Sequence, residues 1–116
     1  MNRSILLIVG VAMLSGCQTR KSLYNWGNYE TVNYLTYAKP GKATLDYQRE
    51  QLEDDLEDSS KLGAHPGLHA QLGYVYFQLG RVDDAVKQFA AEKTLFPEST
   101  IFMDRMIDKA KGSPAK

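Results

Sequence analysis

Residues 66–99, PGLHAQLGYVYFQLGRVDDAVKQFAAEKTLFPES, constrain the fold more than any other stretch of the chain. Leu68, Leu72, Val75, Tyr76 and Leu79 recur at i, i+4, i+7, i+8 and i+11, so they share one helical face. Pro66 suits the first turn of that helix, where a missing N–H costs nothing. Gly80-Arg81 predicts a tight turn. Residues 82–96 then predict a return helix, with Ala85, Val86, Phe89 and Phe96 facing inward and Pro97 ending it. Asp83 and Asp84 sit at its start, where the helix dipole favours acids. Gly73 stands in mid-helix, where it costs about 1 kcal/mol relative to alanine. That cost predicts a close approach of the return helix.

The flanks also read as helical. Residues 44–60 place Leu45, Leu52 and Leu56 on one face, with Gln48 or Arg49 between them and Thr44 as N-cap. Leu62-Gly63 closes that helix. Glu50, Glu53, Asp54, Asp55, Glu57 and Asp58 crowd its second half. They predict a solvated outer face, because the glycine-containing spacing of a calcium loop is absent. Residues 28–38 predict a short helix in phase with Trp26 and Tyr29, with Asn28 as its cap and Lys39-Pro40-Gly41 as its stop. Tyr34 and Tyr37 leave a strand open there. The aromatics of this segment cap the apolar end of the helical stack, or else form a docking surface or a contact with a membrane interface. Residues 99–111 predict a last helix capped by Ser99 or Thr100. Its expected buried face is Ile101 or Phe102, Met106 and Ile107, with Met103 alongside. The expected fold is therefore all-α: an antiparallel hairpin array of about four helices over residues 23–111, followed by a tail at 112–116.

The hairpin resembles the tetratricopeptide repeat (TPR). Leu72, Gly73 and Tyr76 match its first helix, Ala85 and Phe89 its second, and Pro97 its closing proline. His69 stands where the motif prefers tryptophan, and Glu92 where it prefers a small residue. The match covers about a third of residues 17–116. It implies a TPR-like scaffold in which Ala70, Tyr74, Phe77 and Gln78 face a groove. Tyr74 and Phe77 then either anchor a partner peptide or helix, or pack against the 44–60 helix and the aromatic segment before it. A single repeat cannot stack on itself, so the flanking helices must stand in for neighbouring repeats.

The N-terminus reads as an address. Met1-Asn2-Arg3 is short and positive, and residues 5–14 are almost wholly apolar. Ten residues are too few to span a bilayer, which needs about 20, but they suit the apolar core of an export signal. The run ends in Leu14-Ser15-Gly16-Cys17, which resembles the bacterial lipobox. That resemblance implies a lipoprotein signal peptide at 1–16, diacylglyceryl attachment to Cys17, and a lipidated tether at 17–22. Gln18 after the cysteine implies the outer membrane rather than the inner, on the periplasmic face. Cys17 is the single cysteine, so no disulfide can form within one chain. Several acyl chains make a stable anchor without a membrane span.

The rest of the chain offers little chemistry. Basic and acidic residues balance at 14 each, or 13 to 14 without residues 1–16. That balance argues against nucleic-acid binding by phosphate neutralisation. His65 and His69 are four apart, as zinc ligands can be, but Pro66-Gly67 separates them and no third ligand is evident. A histidine satisfied within the hairpin packing is the expected role. No nucleophile elbow, phosphate loop or paired catalytic carboxylates stand out. The expectation is a non-enzymatic chain with no cofactor, no metal and no evident small-molecule substrate.

Leu23-Tyr24-Asn25-Trp26-Gly27-Asn28-Tyr29, His69-Ala70-Gln71-Leu72-Gly73-Tyr74 and Glu92-Lys93-Thr94-Leu95-Phe96-Pro97-Glu98-Ser99 with Phe102-Met103 also resemble a family of small bacterial lipoproteins with an uncharacterised domain. Members are usually found beside lipoproteins similar to the curli secretion channel, which implies an envelope role. The function expected is a protein-interaction adaptor in a cell-envelope complex, using the surface around Tyr74 and Phe77. Two alternatives are a structural subunit of a lipoprotein channel, held through a broad surface at Trp26 and Tyr29, and a regulator of a peptidoglycan enzyme.

Overall fold

A computed structural model describes residues 21–112. The expected signal segment, Cys17, and the last four residues of the expected tail lie outside the described residues. The fold is all-α. Five helices follow in order: α1 (Tyr29–Ala38), α2 (Leu45–Asp58), α3 (Leu68–Gln78), α4 (Val82–Leu95) and α5 (Thr100–Ala110). The helix expected near residues 28–38 is present and the strand left open there is not, and the helices number five where about four were expected. Single 3₁₀ turns at Pro40–Lys42 and Pro97–Ser99 join α1 to α2 and α4 to α5. Among the described residues no helix is long and apolar enough to cross a membrane.

The α3–α4 pair is the centre of the packing. Gly80, at φ 76°, makes the turn between them in the left-handed region that favours glycine. Leu68, Leu72 and Val75 of α3 meet Ala85 and Phe89 of α4 in one buried cluster with Leu52 of α2 and Met103 of α5. Gly73 explains how the two helices come so near. A Cβ placed there would lie 2.8 Å from two ring carbons of Phe89 and 3.2 Å from the Ala85 carbonyl. The ring occupies the space that a side chain would need.

A polar chain fastens α2 onto this hairpin. Arg49 donates to Glu53 at 2.6 Å, and the Tyr76 hydroxyl donates to the other oxygen of Glu53. The Arg81 guanidinium lies 4.5 Å from the Tyr76 ring centroid and pairs with Asp84 at 2.7 Å. Burial and the bond to Glu53 push the Tyr76 phenol up from 10.0 to about 12.

Several boundaries differ from expectation for local reasons. Helix α3 starts at Leu68, so Pro66 precedes it instead of occupying its first turn. Gly67, at φ 93°, is the N-cap and has no side chain with which to cap. Ser99 precedes α5 without capping it; its hydroxyl donates back to the Phe96 carbonyl. Thr44 does cap α2, accepting from the Tyr47 amide at 3.2 Å. On α5 the buried residues are Met103 and Ala110, with Met106 and Ile107 half-buried, while Ile101 and Phe102 are exposed. The acidic half of α2 is not wholly solvated either, since Asp55 is 2% exposed.

Two predictions follow from this packing. Gly73→Ala improves helix propensity by about 1 kcal/mol but forces Phe89 to move, which costs about 1–3 kcal/mol. Chemical denaturation is therefore expected to show a net loss of stability or at best no gain. In an alkaline titration of tyrosine absorbance, the step that Tyr76→Phe removes is expected near pH 12. The unfolded chain ionises this phenol first, so the stability it contributes is full below about pH 10 and falls as pH rises through about 12.

Candidate functional site

A groove of about 630 Å³ lies between α1, α3 and α5. Tyr29, Asn33 and Tyr37 line it from α1, and Ala70, Gln71, Tyr74 and Gln78 from α3. Phe102, Met103, Met106 and Lys109 close it from α5. These positions follow helical spacing: 29, 33 and 37 on α1; 70, 74 and 78 on α3; 102, 106 and 109 on α5. The three helices thus turn one stripe each toward a common space. Gln71 Nε2 donates to Asn33 Oδ1 at 3.1 Å, tying α3 to α1 beside the groove.

The lining is aromatic, aliphatic and amide-bearing, and Lys109 is its single charged side chain. Lys109 Nζ sits 5.9 Å from the Phe77 ring centroid. Tyr74 is 45% exposed, so it does not pack into the core. Phe77 differs. It is half-buried against the core cluster, outside the groove lining, with its ring tilted 34° to that of Tyr74 at 6.4 Å. Of the residues expected in a binding surface, the groove gathers Tyr29, Ala70, Tyr74 and Gln78, and leaves out Phe77 and Trp26.

Trp26 belongs to a second assembly. Its indole stacks on His65 at 4.5 Å and 14°, and Tyr29 meets the same imidazole edge-on at 4.5 Å. Tyr24 packs edge-on against Phe96 at 6.4 Å. These aromatics cover the helical stack as one of the two expectations held, whereas Tyr34 and Tyr37 project into solvent. His65 is fully buried. Its Nδ1 lies 3.0 Å from the Pro66 carbonyl, and its Nε2 has no partner among the described residues. The expectation of a satisfied histidine therefore holds for one ring nitrogen only. His69 is elsewhere, bonded to Gln88 at 2.7 Å. No three His, Cys, Asp or Glu side chains among the described residues converge as a metal site.

Residues 23–106 match the family model for DUF4810, a domain of unknown function. The chain belongs to the DUF4810 family. No curated protein and no solved structure matches it. The matched span contains the aromatic segment and nearly all of the groove; only Lys109 among the α5 lining lies beyond it.

What holds the aromatic segment of this DUF4810 domain in place is a buried acid that the sequence pattern had put on the surface. Asp55 accepts from the Asn28 backbone N–H at 2.8 and 2.9 Å, and from the Asn28 side chain at 3.1 Å. Asn28 therefore spends its side chain on Asp55 and makes no cap for α1. Gly27 lies so close to the same carboxylate that a Cβ would overlap it, and its φ of 41° is also in the left-handed region. Burial raises the Asp55 carboxyl above the ordinary aspartate range, while the bonds from Asn28 act the other way. A single acid in a run of six gives no signal by composition. The available clue was its register, since Asp55 falls on the Leu45, Leu52 and Leu56 side of α2.

Loss of this clasp is open to direct measurement, because Trp26 is the only tryptophan. In Asp55→Ala the donors of Asn28 lose their buried acceptor. We expect Trp26 emission to shift to the red while helical circular dichroism persists. An unchanged emission spectrum would mean that stacking on His65 alone holds the segment.

Proposed function

We propose that this DUF4810 chain is an outer-membrane-anchored lipoprotein that acts as a protein-interaction adaptor in a cell-envelope complex. The carrying observation is the groove between α1, α3 and α5, where exposed aromatic and amide side chains converge with one cation and no carboxylate. A stripe of this kind suits a segment of another protein, because aromatics give contact area at low entropic cost and amides bond to peptide groups. The anchoring half of the reading rests on the apolar run and Leu14-Ser15-Gly16-Cys17. The scaffold half rests on the close α3–α4 approach at Gly73 against Ala85 and Phe89. That approach is in keeping with a TPR-like hairpin flanked by helices that replace neighbouring repeats.

The test is a crosslinked pull-down of the intact protein from its native envelope, beside Cys17→Ser and Tyr74→Ala variants. The unmodified protein is expected to capture a defined envelope protein. Cys17→Ser is expected to lose membrane attachment, and Tyr74→Ala to lose the partner while remaining folded and anchored. Tyr74 is the right probe because truncating the packed Phe77 would disturb the core. Equal capture by the Tyr74→Ala protein would remove the groove from the reading.

A further inference from the structure

The aromatic segment and the α2–α3 junction lie side by side. A parallel backbone bridge links Asn25 to Ala64, and Asn25 shares a shallow cleft with Lys61 and Leu62. The two bridged segments carry three large apolar side chains that reach solvent. Leu23 is 81% exposed, Leu62 59% and Trp26 47%. None is needed to fill the core. The charges around them are exposed and cancel, with Lys21 and Lys61 against Glu57 and Asp58.

The chain outside the structure limits where these side chains can go. If Cys17 carries the lipid, four peptide units separate it from Lys21, and an extended chain spans at most about 3.6 Å per residue. Lys21 then stays within about 15 Å of the acylated cysteine, which sits at the headgroup level. Leu23 follows two residues later. Tryptophan with exposed aliphatic neighbours suits the boundary between headgroups and acyl chains, where the indole is half wet and half apolar. Cancelled local charge suits a zwitterionic surface rather than a strongly anionic one.

We propose that Leu23, Trp26 and Leu62 form a membrane-seating face that rests in the interfacial zone of a zwitterionic phospholipid leaflet. This inference rests on the lipoprotein reading of Cys17. The face does not supply the anchor; it fixes how the anchored domain stands on the bilayer. The groove lining draws on none of the three residues, so seating leaves it free for a protein partner.

The experiment uses the full processed protein purified from its native envelope and reconstituted in phosphatidylcholine vesicles with brominated acyl chains. Mass spectrometry of the N-terminal peptide reports acylation separately. Trp26 fluorescence is expected to be quenched by bromines near the headgroups more than by deep ones, and to change little with salt. A Leu23→Ser/Leu62→Ser protein, equally acylated and equally vesicle-bound, is expected to lose that quenching several-fold with unchanged circular dichroism. Both side chains are mostly exposed, so folding is not at stake. Quenching that is absent in the acylated, bound protein, or that is equal in the double variant, overturns the seating face alone. An N-terminal peptide without acyl mass, on a protein that does not associate with vesicles, overturns the lipoprotein reading and the seating face with it.

Discussion

The contact between Gly73 and the Phe89 ring sets the distance between α3 and α4, and the other helices pack against that pair. Any Cβ at residue 73 would push the ring outward. Leu72 and Val75 flank the glycine on one side of the contact, and Ala85 provides the small surface opposite. Met103 from α5 and Leu52 from α2 then fill the sides of the same cluster. In a domain this small, one well-filled cluster supplies most of the apolar burial. A shift of Phe89 would therefore be felt by four helices at once.

Two buried acids complete what the apolar cluster begins. Glu92 of α4 is 3% exposed, and its carboxylate accepts from the Gly67 N–H at 2.7 Å and the Ala70 N–H at 3.2 Å. It caps α3 from another helix, because Gly67 brings no side chain of its own. Asp55 of α2 does comparable work for the backbone turning into α1. In each case an acid occupies a position at which orphan amide donors would otherwise be buried without partners. The groove depends on both, since Asp55 fixes the start of α1 and Glu92 fixes the start of α3. These two helices carry two of its three walls.

This division explains how much was legible in the sequence. The helices of the hairpin, their turn at Gly80 and the meaning of Gly73 follow from periodicity and from the cost of glycine in a helix. The groove stripe of Ala70, Tyr74 and Gln78 came instead from the resemblance to the tetratricopeptide repeat, which set Phe77 beside them. The two acids were harder. Glu92 appeared only as a departure from a repeat motif, and Asp55 as one of six acids on an apparently wet face. Periodicity ranks residues by how apolar they are, so a carboxylate buried to satisfy distant amides looks like an error in the pattern. Phe102 was misplaced for the converse reason: it is apolar and falls in the helical register of α5, yet it is 60% exposed and lines the groove.

The cap that Glu92 gives to α3 spans 25 residues of chain. Most helices carry their first-turn partner within a few residues and can begin to form by themselves. Here the Leu68 amide finds the His65 carbonyl nearby, but the Gly67 and Ala70 amides get their side-chain acceptor only once α4 has folded back across them. The start of α3 is thus written into the end of α4, and neither half of the hairpin is a complete local unit. A chain interrupted before residue 92 would carry the whole α3 sequence yet lack the group that tells the helix where to begin.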